Sequence, residues 1–313
     1  MIMKTKDVVM LLLLAIMWGG SFLFMRIASP VLGPVVLIEL RVLIAGVALL
    51  IYVKAIGKTL ELRERWFHYL VVGVINSAIP FTLIATAELN LTAGLAAILN
   101  ATTPLFGALV AALWLKDPLT PKKIVGLLLG LIGVAILVGW SPFPFSLTLA
   151  LSILAMLGAS TFYGIAGVYT KVYLKGASSL AMATSSQLGA ALFLLPLTFV
   201  VPIRSVPTPP VIVSVAALAL ICTAIAYLLY FRLIENVGPT NAMTVTFLTP
   251  FFSILWGVLL LHEPLTLSTF VGFGIILLGT GFVTGIKFAR RATPPDPVEK
   301  THETPAGRIN TMS

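Results

Sequence analysis

Residues 96–133 read AAILNATTPLFGALVAALWLKDPLTPKKIVGLLLGLIG, and residues 242–279 read AMTVTFLTPFFSILWGVLLLHEPLTLSTFVGFGIILLG. At an offset of 146 positions, 14 of these 38 positions carry the same amino acid. Each copy contains an apolar segment with one internal proline, a short turn that reads acidic-Pro-Leu-Thr, and a second apolar segment. Self-similarity at a fixed offset predicts a molecule built from two related halves.

The composition around this repeat excludes a soluble globular protein. The chain of 313 residues is 59% hydrophobic and only 10% charged, whereas soluble domains carry about 25% charged residues. The single cysteine, Cys222, excludes a disulfide framework. No spacing typical of a metal site or a nucleotide-binding loop occurs in a suitable context, so the sequence predicts neither a metal nor a cofactor.

Apolar windows along the chain predict an all-α membrane protein with ten transmembrane helices. A helix needs about 20 predominantly apolar residues to cross a bilayer. The predicted spans are residues 8–28, 33–53, 67–87, 93–115, 122–139, 147–170, 178–200, 209–231, 240–261 and 267–287. Residues 290–313 are instead rich in prolines and charges, which predicts a disordered cytoplasmic tail.

The distribution of Lys and Arg predicts the orientation of these spans. If the N-terminus is cytoplasmic, 15 of the 20 Lys and Arg residues fall in cytoplasmic segments, before Lys300 and Arg308 in the tail are added. The outward loops then hold only Arg204, and cytoplasmic loops of membrane proteins are the positive ones. Both termini are therefore expected in the cytoplasm, and the net charge of +9 requires no nucleic-acid partner. Since each half has an odd number of helices, five, the halves are expected to be inverted repeats.

Taken together, these features resemble the EamA family of the drug/metabolite transporter superfamily. The resemblance rests on ten spans with short loops, on Trp18-Gly-Gly-Ser, and on the turns at Asp117-Pro118 and Glu263-Pro264. It covers residues 8–138 as a first five-helix repeat and residues 149–284 as a second. It implies a multi-pass protein of the cytoplasmic membrane that transports small metabolites, often as an exporter of amino acids or related compounds. A central cavity between the halves is expected.

Arg41 is the most unusual polar residue of the predicted spans. It lies about 12 Å into the second span, counted from position 33 at about 1.5 Å per residue. A central arginine costs about 2.5–3.5 kcal/mol on insertion scales. One interpretation is that Arg41 faces the cavity and holds an anionic group of the substrate. The alternatives are a structural ion pair with Glu88 and extension of the side chain toward the lipid headgroups.

Other polar and aromatic residues of the spans complete the candidate site. Gln187 occupies the position of Arg41 in the second half, and Asn100 lies four residues before Pro104. Pro104 and its equivalent Pro250 would kink their helices and act as hinges, or would merely shape the bundle. The aromatic residues would receive apolar parts of the substrate or would only pack. The predicted substrate-binding residues are Trp18, Arg41, Asn76, Asn100, Tyr163, Gln187 and Tyr227.

The sequence thus predicts a secondary transporter that exports small polar or amphipathic metabolites by alternating access. Glu39 and Glu88 are candidates for proton coupling, and exchange against a counter-substrate is the other option. The expected partners are a small-molecule substrate and the lipid bilayer, with the chain as a monomer or a homodimer. An antiporter of phosphorylated metabolites or nucleotide sugars is an alternative, although that chemistry favours two converging cations. An intramembrane enzyme is the alternative from another class, and no set of acid, base and nucleophile is visible for it.

Overall fold

The computed structural model describes residues 4–139 and 146–284, and within these ranges it contains helices and no strands. The predicted tail, residues 290–313, lies outside the described residues. All ten predicted spans correspond to helices, and nine of the helices in the described ranges are long and apolar enough to cross a membrane. The remaining one, Val245–Leu261, has 17 residues. The chain is therefore a multi-pass membrane protein, as its composition predicts.

The helices are numbered α1 to α10 in chain order. They are α1 Thr5–Leu32, α2 Pro34–Ala55, α3 Leu62–Ala87, α4 Ala93–Trp114, α5 Pro121–Gly139, α6 Leu147–Tyr173, α7 Ser179–Thr198, α8 Pro209–Val237, α9 with its two pieces Pro239–Ala242 and Val245–Leu261, and α10 Leu267–Thr284. Several of them extend beyond the predicted windows, because polar residues such as Thr5 and Arg63 continue a helix at its ends without belonging to its apolar part.

The two repeated prolines affect their helices differently. In α4 the helix is interrupted at Ala101 and Thr102, and Pro104 stands in the first turn of the second piece, Thr103–Trp114. A proline in the first turn loses no helical hydrogen bond, so the expectation of an interior proline is wrong for Pro104. Pro250 does lie inside the long piece of α9. The break in α9 falls earlier, between Ala242 and Val245.

A π-helical segment interrupts the third helix of each half. In α3 it spans Val74–Ala78, and in α8 it spans Ala217–Ile225. At the offset of 146, residues 74–78 correspond to residues 220–224, so the two segments coincide within the repeat. π-helical turns rotate the side chains that follow them and occur frequently at functional sites.

Close helix contacts also recur at repeat-related positions. A Cβ atom on Gly19 of α1 would lie 2.7 Å from Cβ of Phe252 in α9. A Cβ atom on Gly164 of α6, which aligns with Gly19 at an offset of 145, would lie 2.9 Å from the backbone N of Gly107 in α4. Backbones approach this closely only where the side chain is absent, which is how small residues pack membrane helices. Each half thus places its first helix against the fourth helix of the other half.

Candidate functional site

Arg41 is 4% exposed and is held by three helices other than its own. Its Nε donates to Oγ1 of Thr223 in α8 at 3.0 Å, and its Nη1 donates to Sδ of Met25 in α1 at 3.5 Å. Its Cζ lies 3.8 Å from the ring centroid of Phe81 in α3. The guanidinium therefore points into the bundle rather than toward the headgroups.

The guanidinium of Arg41 has no carboxylate partner among the described residues. The ion pairs within 4.0 Å in those ranges join Arg65 to Glu61 and Arg232 to Glu235. Glu88 lies close enough to Arg41 for their charges to interact, but the two side chains form no ion pair. A hydroxyl and a thioether are weak acceptors for a cation, and a buried charge normally requires a stronger partner. Three of the five N–H donors of Arg41 therefore make no hydrogen bond to the described residues.

Gln187 occupies the corresponding place in the second half. It is fully buried in α7, and its Nε2 donates to Oγ of Ser77 in α3 at 3.0 Å. Its Oε1 is buried and accepts no hydrogen bond from the described residues. The hydroxyl of Tyr227 in α8 lies beside Ser77 and Asn76. Gln187 and its neighbours therefore form a second polar group with one unused acceptor.

These two groups are related by the repeat. Arg41 aligns with Gln187, and Ser77 aligns with Thr223, both at the offset of 146. The bond from Arg41 to Thr223 and the bond from Gln187 to Ser77 are therefore the same contact made twice, each of them between the two halves. Ser77 and Thr223 both belong to the π-helical segments, so each of these contacts is made by a hydroxyl of a π-helical turn.

Aromatic rings border the two polar groups. The ring centroids of Phe81 and Tyr163 are 6.4 Å apart in an edge-to-face arrangement. Phe81 therefore contacts both Tyr163 and the guanidinium of Arg41. Tyr227, the repeat equivalent of Phe81, stacks on Phe231 at 5.8 Å and lies within Coulombic range of Arg41. Each polar group thus has one aromatic ring from the third helix of a half.

Two of the predicted residues lie apart from Arg41 in this structure. Trp18 packs on Tyr230 at 5.2 Å, in a different hydrophobic cluster from Phe81. Asn100 ends the first piece of α4, and its Oδ1 is buried without a hydrogen-bond partner among the described residues. Neither side chain is among the partners of the Arg41 guanidinium, which are Thr223, Met25 and Phe81.

The two acidic residues proposed for proton coupling are both buried. Glu39 in α2 is 4% exposed and Glu88 at the end of α3 is fully buried. Neither carboxylate has a hydrogen-bond partner among the described residues. Arg26 donates to the backbone carbonyl of Glu88 rather than to its side chain. Burial of an unpartnered carboxylate costs free energy, so packing alone does not account for an acidic residue at either position.

Sequence reasoning missed Ser77, Thr223 and Met25 as neighbours of the polar pair. Hydroxyls in membrane helices commonly bond to their own backbone, so a serine or threonine alone gives no signal. One signal was available for Ser77 and Thr223, because they are hydroxyl residues at the same position of the two repeats. For the described residues, no group of three His, Cys, Asp or Glu side chains is placed to hold a metal ion.

Comparison with known families agrees with this architecture. The model of the EamA-like transporter family matches residues 5–139 and again residues 150–285. The chain belongs to the EamA-like transporter family.

Relatives of similar length include two that are named as transporters. The chain is 29% identical over 292 residues to the uncharacterized transporter YvbV of Bacillus subtilis (strain 168), which covers 92% of this chain and 95% of that protein. It is 26% identical over 289 residues to the uncharacterized inner membrane transporter YedA of Escherichia coli (strain K12), covering 90% of this chain and 91% of that protein. It is 25% identical over 288 residues to the protein PecM of Dickeya dadantii (strain 3937), covering 91% of this chain and 94% of that protein.

A solved structure shares the fold. The similarity has a TM-score of 0.65 at 17% sequence identity, and it covers 90% of this chain and 97% of the crystallised chain. At this identity the likeness describes the fold alone.

Proposed function

We propose that this protein is a secondary transporter that exports small metabolites carrying an anionic group, such as amino acids or related compounds, across the cytoplasmic membrane. The observation that carries the proposal is the buried guanidinium of Arg41, which has no carboxylate partner among the described residues. A bound carboxylate would accept charge-assisted hydrogen bonds from it. Gln187 would bind a polar group of the same substrate through its unused Oε1.

We propose further that the two halves, residues 8–138 and 149–284, are inverted repeats that alternate access to this site. The repeated contacts support this arrangement, since Gly19 with the backbone N of Ser253 and Gly164 with the backbone N of Gly107 are equivalent pairs, each at 2.9 Å. So does the pair of bonds that Asn90 donates to Ser152 and Asn236 donates to Asp7, at offsets of 146 and 145. Pro104 and Pro250 remain the proposed hinges. The positive loops favour a cytoplasmic location for both termini.

The same geometry weighs against a site for phosphorylated metabolites. A phosphate dianion is typically bound by two or more cations. The nearest additional candidate, Arg26, already donates to the backbone carbonyl of Glu88. A substrate with a single negative charge therefore fits the surroundings of Arg41 better. Glu39 and Glu88 are retained as the proposed proton-coupling residues, and a monomer or a homodimer is compatible with this site.

Transport in proteoliposomes tests the anion-binding role of Arg41. A panel of radiolabelled amino acids and related acids is assayed by counterflow with the purified wild-type protein, which identifies a substrate. Arg41→Gln is then expected to raise the Kd for that substrate about 10- to 100-fold, because a hydrogen bond to a charged group contributes about 1.5–3 kcal/mol. The matched decarboxylated amine is expected to be a poor ligand of the wild-type protein.

Arg41→Lys serves as the matched control, because it keeps the charge but loses the planar array of donors. It is expected to retain part of the affinity that Arg41→Gln loses. If the Arg41→Gln protein is folded and transports the acidic substrate at the wild-type rate, Arg41 does not bind the substrate and the proposal fails.

A further inference from the structure

The carboxylate of Glu263 caps the start of α4. Its Oε1 accepts from the backbone N of Ala93 at 2.8 Å, and its Oε2 accepts from the backbone N of Gly94 at 3.3 Å. Thr92 completes the cap, since its Oγ1 accepts from the backbone N of Leu95 at 3.2 Å. A negative charge at a helix N-terminus is stabilised both by the free N–H groups and by the helix dipole. Glu263 therefore ties the turn between α9 and α10 to the first residues of α4.

Further contacts close the bundle around this cap, at what we call the Glu263 end. The hydroxyl of Ser253 in α9 donates to the backbone carbonyl of Ala93 at 2.9 Å. A Cβ atom on Gly94 would lie 3.1 Å from Cγ1 of Ile254, so α4 and α9 are in direct contact here. Since α4 and α9 belong to different halves, these bonds hold the two halves together at one end of the bundle.

The repeat equivalents of these residues lie at the opposite end, and two of the bonds have no donor there. Asp117 aligns with Glu263, and Pro239 aligns with Ala93. Proline has no N–H group, so the shorter of the two cap bonds has no donor there. Gly107 aligns with Ser253 and lacks the hydroxyl. Among residues 4–139, 146–238 and 241–284, none donates a hydrogen bond to the Asp117 carboxylate.

This difference is specific to the cap. The bonds at Arg41 and Gln187 and the close contacts at Gly19 and Gly164 are present in both halves. The turn itself is also repeated, since Lys116 and His262 have φ angles of 56° and 54°. The cap at Glu263 is thus a repeated sequence feature whose stabilising contacts occur on one side only.

We propose that Glu263 is a latch, and that the carrier without substrate rests closed at the Glu263 end because the counterpart at Asp117 lacks the N–H group and the hydroxyl that form two of these bonds. Release of α4 from Glu263 is then the step that opens this end. The inference rests on the alternating access proposed above. With the N-terminus in the cytoplasm, the latched end faces outward and the resting carrier presents its site to the cytoplasm, as an exporter requires.

Distance measurements between spin labels test the latch without any substrate. One pair of labels is attached at Thr86 and Leu267, which are exposed near the Glu263 end, and the other pair at Lys122 and Glu235, which are exposed near the Asp117 end. The native Cys222 is buried and does not compete for the label. The full chain is measured in lipid nanodiscs by pulsed electron resonance.

Glu263→Ala is expected to lengthen the Thr86–Leu267 distance in a substantial fraction of molecules and to shorten the Lys122–Glu235 distance. Glu263→Gln is expected to give a smaller shift, because its amide oxygen still accepts one bond but carries no charge. Asp117→Ala is the matched control, and it is expected to change neither distance. If Asp117→Ala shifts the distances as much as Glu263→Ala, or if neither variant shifts them, the latch is refuted.

A second variant separates the latch from a purely structural role. A Cβ atom on Gly257 would overlap Oε2 of Glu263, so Gly257→Ala displaces the carboxylate without removing it and is expected to reproduce the shift of Glu263→Ala. A lower Tm with unchanged distances in both variants would mean that the cap only stabilises the fold. Because the readout needs no transport, a failure of the anion site at Arg41 would leave this result unaffected, and the reverse also holds.

Discussion

Arg41 and Gln187 make equivalent hydrogen bonds to Thr223 and Ser77, yet only Arg41 carries a charge. The two halves therefore provide the same scaffold with different chemistry at its centre. On the proposed function, a charged group on one side and a neutral amide on the other would suit a substrate with one anionic end and one polar end that donates hydrogen bonds. Such a pair would also fix the orientation of the substrate between the halves.

Exchanging the two side chains tests whether the positions are equivalent. The double variant Arg41→Gln with Gln187→Arg moves the guanidinium to position 187, where the hydroxyl of Ser77 can accept its hydrogen bond. We expect it to recover at least one tenth of the wild-type affinity for the acidic substrate, whereas Arg41→Gln alone does not. Equilibrium binding by scintillation proximity measures both. A double variant that binds no better than the single one would show that the halves are not interchangeable at this site.

Glu88 is the stronger of the two candidates for proton coupling. Its carboxylate is buried and has no hydrogen-bond partner in the described structure. The charges of Arg26, Arg41 and Glu263 are close enough to interact with it. Glu88→Gln is expected to abolish substrate accumulation driven by a pH gradient while substrate exchange continues, since a carboxamide cannot bind and release a proton.

The measurement compares pH-driven uptake with counterflow in the same proteoliposomes, and Glu39→Gln is the parallel variant. If both variants respond to the pH gradient as the wild type does, coupling resides elsewhere or the carrier exchanges counter-substrates.

Helix packing in each half depends on a glycine in its first helix. Gly19 and Gly164 allow α1 to touch α9 and α6 to touch α4, where a Cβ atom would lie within 3.0 Å of its neighbours. These contacts join the halves along helices that the proposed alternating access would move. Because glycine has no side chain, the helices approach closely at these points without side chains that interlock.

Gly164→Ala is expected to destabilise the protein by about 1–3 kcal/mol, the usual cost of inserting a methyl group into a packed core. The added Cβ would meet backbone atoms of Gly107 and Phe106, which cannot move aside as a flexible side chain could. Gly167→Ala on the same helix is the matched control, because nothing lies within 4 Å of its added Cβ. Unfolding in detergent, followed by Tm and by denaturant titration, measures both. Equal stability of the two variants would contradict the tight contact.

The charged loops predict the orientation of the whole molecule in the membrane. With the N-terminus in the cytoplasm, Lys58 lies inside the cell and Ser205 lies outside. Both residues are exposed at helix connections. Lys58→Cys is expected to resist a membrane-impermeant maleimide in intact cells and to react after permeabilisation. Ser205→Cys is expected to react in intact cells. The opposite pattern would invert the topology and place the Glu263 end in the cytoplasm.

The sequence by itself determined the membrane class, the ten helices and the family. These properties depend on apolar length, loop composition and a repeat that aligns without gaps over 38 residues, all of which are local along the chain. It also identified Arg41 and Gln187 as a related pair, because the cost of burying a charge or a carboxamide in a membrane is evident without a structure.

Only the tertiary structure decided which residues meet. Thr223 is 182 positions from Arg41, and Ser77 is 110 positions from Gln187, and no local pattern links such distant residues. It also separated Trp18 from Phe81 and placed Pro104 at the start of a helical piece. The bond from Glu263 to Ala93 has the same origin, because a helix N-terminus binds whichever acceptor the packing of another helix brings to it.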